Sequence, residues 1–238
     1  MSARILVAGG SGGIGAELCA AVAVRGYRPI VSYRRSRERA VQIAVASGGD
    51  ALALDLIDPT SIERAIDEIA AGGSDLAGIV FAATAPLRLE PLSRVSADDF
   101  DTQWRIHVQG PRQLLAGLIP RCLRRQRRGT IVGVLSQAMG SETQPAMAML
   151  APYVVAKHAL AGLLAATAAD YPWLSVRTVA PGFTRTALLD AFDPRFLAQI
   201  EDRHPVSAPE DVAREIAACL PGLEVPRSLG VPAQEQPA

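Results

Sequence analysis

The stretch that decides the fold lies at the amino terminus, where Arg4-Ile-Leu-Val-Ala8 runs directly into Gly9-Gly10-Ser11-Gly12-Gly13-Ile14-Gly15. The first five residues form a short apolar run typical of a buried strand, and the glycines permit a tight turn. A helical pattern begins at Gly13. The free N–H groups at the amino end of such a helix favour an anion, and glycines let a pyrophosphate approach the backbone. This stretch therefore predicts a dinucleotide-binding strand, turn and helix.

Short apolar runs and longer amphipathic stretches alternate along the rest of the chain, which is the pattern of parallel strands joined by helices. We predict strands at Arg4–Ala8, Pro29–Tyr33, Ala51–Asp55, Leu76–Ala82, Thr130–Leu135 and Ser175–Ala180. We predict helices at Gly13–Arg25, Arg37–Ala46, Pro59–Ala71, Ala97–Arg125, Pro152–Tyr171 and Pro209–Leu220. The expected fold is α/β: a doubly wound parallel sheet in a Rossmann-like three-layer α/β/α domain over residues 1–220, followed by an irregular tail at 221–238.

Composition excludes several classes of function. The 24 basic and 24 acidic residues give a formal charge of zero, which argues against a nucleic-acid binder that relies on a broad basic surface. No apolar run reaches the roughly 18 residues that span a bilayer, and the first strand follows Met1 too closely for a signal peptide, so we expect a cytoplasmic protein without membrane contact. Cys19, Cys122 and Cys219 lie far apart and are odd in number, so we expect neither a disulfide framework nor a metal site.

Residues suited to proton chemistry come later in the chain. Tyr153 and Lys157 are four residues apart in a predicted helix and share one face, and Lys157 is the only lysine in the sequence. A phenol titrates near ~10, and a nearby ammonium would favour the phenolate and make the tyrosine a usable proton donor. Ser136 ends the fifth strand, where its hydroxyl could hydrogen-bond a substrate carbonyl. Pro181-Gly182-Phe183-Thr184 follows the sixth strand, at the edge where cofactors bind.

The end of the second strand bears on the choice of cofactor. In dinucleotide-binding units an acid there favours NAD, and a basic residue accommodates the extra phosphate of NADP. The sequence here is Tyr33-Arg34-Arg35-Ser36, without an acid. We therefore prefer NADP(H), with Arg34 and Arg35 as phosphate partners, and the alternative is that both are solvated loop arginines.

Taken in order, these motifs resemble the short-chain dehydrogenase/reductase family over roughly residues 4–220. Within the family, the segments 31–40 and 180–186 look most like 3-oxoacyl-acyl-carrier-protein reductases. The resemblance implies that a 3-oxoacyl group is reduced with NADPH: Tyr153 protonates the carbonyl oxygen, Ser136 holds it, and Lys157 binds the nicotinamide ribose and lowers the pKa of Tyr153. It also implies these cofactor contacts: Gly9, Ser11, Gly12, Gly13, Ile14, Arg34, Arg35, Asp55, Leu56, Ala82, Tyr153, Lys157, Pro181, Gly182 and Thr184.

The sequence departs from the family pattern at several places. His107 stands where the family has an asparagine that holds a proton-relay water; it could join the relay or be an ordinary packed histidine. Phe81-Ala-Ala-Thr84 replaces Asn-Asn-Ala-Gly near the adenosine pocket, which puts cofactor affinity in doubt. Ser141 is nearer the customary spacing to Tyr153, but Ser136 has the strand-end position and is favoured. No seventh strand is evident after residue 220, so a homodimer, a homotetramer and a mixed complex with a related chain all remain open.

Apolar residues near the site could receive an acyl chain, or could simply pack in the core. They are Met139, Met147, Met149, Leu150, Leu188, Leu189, Phe192 and Phe196. The segment Thr186–Arg203 has helical apolar spacing and could form a lid. Arg127 and Arg128 could dock an acidic acyl carrier protein, or could be a solvated helix end. Two further functions stay open: a reductase or dehydrogenase of a free small ketone or alcohol, and a catalytically weak partner subunit of a heteromeric reductase.

Overall fold

The computed structural model of the 238-residue chain describes residues 3–73, 75–201 and 206–222. Most of the predicted tail at 221–238, and the end of the predicted lid beyond residue 201, lie outside these residues. Six strands form one parallel sheet in the order β3-β2-β1-β4-β5-β6. Their bounds are β1 Arg4–Ala8, β2 Arg28–Tyr33, β3 Asp50–Ala53, β4 Leu76–Phe81, β5 Thr130–Val134 and β6 Ser175–Val179.

Helices connect the strands and cover both faces of the sheet. The α-helices are α1 Gly13–Val24, α2 Arg37–Ser47, α3 Pro59–Ala71, α4 Ala97–Trp104, α5 Gly110–Leu118, α6 Ala151–Asp170, α7 Pro194–Glu201 and α8 Pro209–Ala218. Short 3₁₀ turns lie at Leu92–Arg94, Gln137–Met139 and Ala187–Ala191. Among the described residues, no helix is both long and apolar enough to cross a membrane. The same part of the chain contains no cluster of His, Cys, Asp or Glu side chains that could hold a metal ion.

The sheet is buried on both faces because successive strand residues point to opposite sides. In β1, Ile5 and Val7 pack into a core with α1, α2 and α8, whereas Leu6 and Ala8 pack into the other core with α3, α5 and α6. The apolar run that marks β1 in the sequence is therefore the signature of a strand between two helix layers. The predicted doubly wound parallel α/β fold is confirmed.

The long helix predicted at Ala97–Arg125 is helical from Ala97 to Leu123, but it is not one regular α-helix. Helix α4 passes at Arg105–Gln109 through a π-helical turn into α5, and a second π-helical turn comes at Ile119–Leu123. Each π turn adds one residue to a helical turn and rotates the next part of the helix, which side-chain periodicity alone does not reveal. Smaller corrections concern β3, which begins at Asp50 and ends at Ala53, and β4, which ends at Phe81.

The strand order reverses between β1 and β4 in the middle of the sheet. From β1 the chain continues to β2 on one side, and from β4 it continues to β5 on the other. At such a switch point the connections to the two sides diverge and open a crevice beyond the carboxyl ends of the strands. The glycine-rich turn follows β1 at this point, and residues 82–85 follow β4 beside it. The fold therefore places the predicted anion-binding turn at the mouth of a crevice.

Candidate active site

The glycine-rich turn is held tightly against the end of β2. Gly9 has a φ of 92°, a conformation that favours glycine, and Gly12 N–H donates to the Gly9 carbonyl at 3.0 Å. A side chain on Gly15 would lie 2.0 Å from that carbonyl oxygen, so only glycine fits. The buried Ser32 hydroxyl accepts from Gly9 N–H at 2.8 Å. Sequence reasoning missed Ser32, although a lone hydroxyl in the apolar strand Pro29–Tyr33 was a usable signal.

A cleft of about 370 Å³ opens beside this turn. Nine of the predicted cofactor-binding residues line it: Gly9, Ser11, Gly12, Gly13, Ile14, Arg34, Asp55, Leu56 and Ala82. Gly15, from the predicted glycine-rich turn, and Ala83 and Thr84, from the segment expected near the adenosine pocket, also line it. Further lining residues were not assigned to the cofactor from the sequence: Ser32, Tyr33, Leu54, Ala85, Pro86, Ile106, Thr186, Ala187 and Leu188. Several of these lie on connections whose paths depend on tertiary packing.

The two arginines after β2 differ in position. Arg34 is exposed and lines the cleft, whereas Arg35 is exposed but does not belong to the lining. Across the cleft, the Asp55 carboxylate accepts from Ile57 N–H at 3.0 Å, which fixes its side chain at the start of the turn that leads to α3. The cleft thus has one acidic and one basic side chain among its predicted contacts, on the neighbouring strand ends of β2 and β3.

Ser136 and Tyr153 meet beyond the end of β5. The Ser136 hydroxyl oxygen accepts from Ala138 N–H at 3.1 Å, which leaves its own proton free to be donated. Tyr153, in the first turn of α6, is 7% exposed. Burial raises the pKa of Tyr153 above its usual value, while a hydrogen bond from the Ser136 hydroxyl favours the phenolate and acts in the opposite direction.

Lys157 is buried one helical turn further along α6. Its ammonium is 2% exposed and donates to the Val134 carbonyl at 2.6 Å, and Nζ lies 5.4 Å from the centre of the Tyr153 ring. Burial lowers the pKa of Lys157 from 10.5 to about 7. Near neutral pH this amine is therefore populated in both its protonated and its neutral form. Burial outweighs any attraction from Lys157 in setting the pKa of Tyr153, which is raised and not lowered in this structure.

His107 lies in the π-helical turn between α4 and α5 and is 1% exposed. Its Nδ1 is 3.0 Å from the Gln103 carbonyl, which can only accept, so Nδ1 carries the proton and Nε2 is a bare acceptor. Nε2 has no hydrogen-bond partner among the described residues. The ring meets the Tyr153 ring edge to face at 5.8 Å. Burial first, and then the Lys157 charge, hold the pKa of His107 well below its usual value, so this imidazole is neutral.

The first part of the loop after β6, Pro181–Thr184, lies beside Gln137 and outside the cleft lining. Gln137 N–H donates to the Pro181 carbonyl at 2.9 Å, and the Thr184 hydroxyl donates to the Gly182 carbonyl at 3.2 Å. Thr184 also forms a parallel bridge with Ser207, which ties the two ends of the intervening segment together. Pro181 and Gly182 therefore lie beside Gln137, the neighbour of Ser136 in the chain, and neither they nor Thr184 border the open part of the cleft.

An apolar cluster packs against Tyr153. Leu150, Tyr153 and Phe192 are its buried members, and partly buried residues surround them: Leu87, Leu89, Ala138, Met147, Val154, Phe183, Leu189, Phe196 and Leu197. Of the apolar residues singled out in the sequence, Met149 is instead 44% exposed, and Leu188 lines the cleft beside the glycine-rich turn. The segment predicted as a lid contributes Phe192 and Phe196, whose rings stack at 5.8 Å. One wall of the site is thus apolar and rich in aromatic rings.

A family model described as short chain dehydrogenase matches residues 3–195. The chain is 28% identical over 227 residues to a 3-oxoacyl-acyl-carrier-protein reductase of Staphylococcus aureus, covering 91% of this chain and 90% of that protein. It is 31% identical over 192 residues to an NADPH-dependent pterin aldehyde reductase of Arabidopsis thaliana, covering 78% of this chain and 76% of that protein.

Among solved structures, a gluconate 5-dehydrogenase from Burkholderia cenocepacia, crystallised with NADP and tartrate, superposes with a TM-score of 0.80 at 21% identity. That match covers 92% of this chain and 89% of the other and supports the fold. The family match extends over most of the chain, and the glycine-rich turn, Ser136, Tyr153 and Lys157 all lie within it. The chain belongs to the short chain dehydrogenase family and is an NAD(P)-dependent oxidoreductase that acts on hydroxyl or keto groups.

Proposed function

We propose that this protein is an NADPH-dependent ketoreductase that reduces a 3-oxoacyl thioester, free or bound to a carrier protein, to the 3-hydroxyacyl product. The observation that carries the proposal is the group formed by the partly buried Ser136 and the buried Tyr153 and Lys157, beside an apolar wall. The hydroxyls suit a carbonyl oxygen, and the wall suits an acyl chain. The 28% identical relative named a 3-oxoacyl-acyl-carrier-protein reductase supports this choice.

Each reacting side chain would have its own task. The Ser136 hydroxyl donates a hydrogen bond to the substrate carbonyl oxygen, where negative charge develops. Tyr153 delivers its phenolic proton to that oxygen, and its raised pKa keeps the proton in place until the charge appears. Lys157, with a pKa of about 7, can supply the proton that restores the Tyr153 phenol after the reaction. NADPH, when bound, supplies the hydride.

The close backbone approach at Gly9 and Gly15, and the cleft beside it, fit a dinucleotide. In this proposal Gly12, Gly13 and Ile14 would hold its pyrophosphate, and Asp55 and Leu56 would hold its adenine end. Arg34 would bind the phosphate that distinguishes NADP from NAD. Arg35, which is outside the cleft lining, is the weaker phosphate partner. Pro181, Gly182 and Thr184 would bound the nicotinamide end beside Ser136.

We further propose that Arg127 and Arg128 form part of the docking surface for an acyl carrier protein. Both side chains belong to the turn between the second π-helical turn and β5, and Arg127 has a φ of 45°, which turns the chain sharply there. Cationic side chains steer an acidic partner through complementary charge. We also propose that the protein is cytoplasmic. It would assemble as a homodimer, as a homotetramer or in a mixed complex with a related chain.

A second candidate function is the reduction of a free small carbonyl compound. The Arabidopsis relative named a pterin aldehyde reductase, and a D-threitol dehydrogenase of Mycolicibacterium smegmatis that is 29% identical over 190 residues, favour it. The polar side chains Arg88, Glu90, Asp99 and Thr102 around the small pocket beside Tyr153 would suit such a substrate better than an acyl chain. The two candidates differ in which carbonyl gives the higher kcat/KM.

The deciding experiment measures NADPH oxidation by the purified protein with 3-oxoacyl thioesters and with free ketones and aldehydes. We expect the thioesters to give the higher kcat/KM, and Tyr153→Phe to lower kcat by about 10²- to 10⁴-fold, because the proton donor is lost while the ring and its packing remain. NADPH binding by fluorescence should be unchanged in this variant. Full activity of Tyr153→Phe, or turnover of free carbonyls only, would contradict the proposal.

Cofactor choice is tested at Arg34. Arg34→Ala should raise KM for NADPH by about tenfold or more and leave KM for NADH nearly unchanged, because only NADPH carries the phosphate that the guanidinium would bind. Arg35→Ala is the matched control, and its effect should be smaller because Arg35 lies outside the cleft lining. Equal effects of Arg34→Ala on both cofactors would show that Arg34 does not read this phosphate.

A further inference from the structure

Gln137 occupies a position next to the reacting residues that no step of the proposed chemistry has used. It comes directly after Ser136 and opens the 3₁₀ turn Gln137–Met139 beyond β5. Its N–H donates to the Pro181 carbonyl at 2.9 Å, and its carbonyl accepts from Gly140 N–H at 3.1 Å. The backbone of Gln137 therefore bridges the ends of β5 and β6 and is fixed on both sides.

The side chain of Gln137 lies over Gly182. A Cβ atom added to Gly182 would be 2.9 Å from Oε1, 3.4 Å from Cδ and 3.8 Å from Nε2 of Gln137, and these are its three nearest heavy atoms. The carboxamide thus fills the space that a side chain at residue 182 would otherwise occupy. Of the two polar atoms of the amide, the oxygen lies nearer to Gly182 than the nitrogen does.

This carboxamide is available for binding. Gln137 is exposed, and within the described part of the chain its amide has no hydrogen-bond partner. An amide NH₂ offers two donors, which suit a carbonyl oxygen. Ser136 on one side provides the hydroxyl for the reacting carbonyl, and Gln137 is next to it in the chain at the fixed spacing of adjacent residues.

We propose that Gln137 determines specificity by donating a hydrogen bond from Nε2 to the second carbonyl of a 1,3-dicarbonyl substrate, the thioester oxygen of a 3-oxoacyl group. The inference rests on the proposed ketoreductase function and names the part of the substrate that Gln137 recognises. A 3-oxoacyl thioester carries its thioester carbonyl two carbons from the ketone, so two adjacent residues can each hold one oxygen. A simple ketone offers nothing to the Gln137 amide.

The test compares two substrates that differ only in the second carbonyl. One is the 3-oxobutanoyl thioester of N-acetylcysteamine, and the other is the ketone in which a methylene replaces the thioester carbonyl. Gln137→Met keeps the length of the side chain and removes the donor. We expect kcat/KM for the thioester to fall by about tenfold, the size of one neutral hydrogen bond, and kcat/KM for the methylene ketone to change less than about twofold.

Gln144→Met is the matched control, because Gln144 is an exposed glutamine of the same loop and is not among the neighbours of Gly182. It should leave both substrates unaffected. Three results for Gln137→Met would overturn the inference. They are equal losses of kcat/KM on both substrates, no change on either substrate, and a higher KM for NADPH, which would show that the amide contacts the cofactor instead. Failure of the proposed function has a different signature, because the wild-type protein would then not reduce the thioester although it reduces free carbonyls.

Discussion

Lys157 shows how burial alone can tune a reacting group. No acidic side chain is among the causes of its pKa shift: burial of an ammonium lowers the pKa to about 7, and the Val134 carbonyl is its acceptor. Burial also lowers the pKa of His107, which is neutral. Of the two nitrogen bases near Tyr153, only Lys157 therefore carries a positive charge near neutral pH. A buried charge is costly when it is not paired, which makes the protonation state of Lys157 visible in stability.

We predict that stability of the protein without cofactor depends on pH through Lys157. Its folded pKa of about 7 lies below the unfolded value of 10.5, so the unfolded chain binds more protons between these values. The unfolding free energy of the wild type should therefore rise with pH in this window, by about 1.4 kcal/mol per pH unit from this residue.

Lys157→Met lacks this titration and serves as the reference. The unfolding free energy of Lys157→Met should exceed that of the wild type most at pH 7 and below, and the difference should shrink towards pH 10. Urea unfolding of both proteins at a series of pH values measures this difference. Groups that Lys157 does not influence titrate alike in the two proteins and cancel in the difference. His107, whose pKa the Lys157 charge lowers, titrates below this window and does not contribute to the change between pH 7 and 10. Parallel stability curves across this range would show that the ammonium is not buried as the structure has it.

At the scale of the elements, the break between α4 and α5 shapes the site. The π-helical turn at Arg105–Gln109 places His107 against Tyr153 and Ile106 in the lining of the cleft. π turns inside α-helices often lie at functional sites. Gly110 comes immediately after this turn and packs directly on the backbone of Leu56, which lines the cleft. Through this one irregular turn, the helix contacts both Tyr153 and the residues that line the cleft.

Two glycine substitutions on helices should act in opposite directions. A Cβ on Gly110 would lie 2.7 Å from the Leu56 carbonyl oxygen, so Gly110→Ala should destabilise the fold by about 1–3 kcal/mol and raise KM for NADPH. Gly162, within α6, has nothing within 4 Å of such a Cβ, so Gly162→Ala should stabilise by about 0.5–1 kcal/mol through helix propensity. Thermal unfolding and NADPH kinetics measure both. A stabilising Gly110→Ala would contradict the close contact with Leu56.

At the scale of the whole molecule, two cores share one sheet. One core joins the sheet to α3, α5 and α6, and the other joins it to α1, α2 and α8. Because neighbouring residues of the same strand enter different cores, neither helix layer can lose its packing without exposing the sheet. We therefore expect the described part of the chain to unfold as one cooperative unit.

A substitution in one core should lower the stability of the other core to the same extent. Ile216→Ala, in α8 on one face, should lower the unfolding free energy by about 2–5 kcal/mol. Trp173 packs against the opposite core, so its fluorescence transition should shift as far as the far-UV circular dichroism transition. Val45→Ala is the control, because Val45 is 78% exposed, and it should change stability by less than about 0.5 kcal/mol. Separate fluorescence and dichroism midpoints in Ile216→Ala would indicate two independent units.

Local sequence determined the elements and the order of the motifs. The apolar run at Arg4–Ala8, the glycines after it and the spacing of Tyr153 and Lys157 depend on backbone conformation and helical period, which neighbouring residues in the chain fix. The doubly wound sheet was predicted from the same alternation of strands and helices, and the structure confirms it.

Only the tertiary structure decided which of the expected neighbours meet. It places Arg34 in the cleft lining and Arg35 outside it, supports Gly9 with the Ser32 hydroxyl, and brings Thr186 and Leu188 to the cleft from a distant segment. It also sets the direction of the pKa shifts: burial raises the pKa of Tyr153 and lowers those of Lys157 and His107. Burial and contacts between strand ends depend on residues far apart in the chain, so no local pattern could specify them.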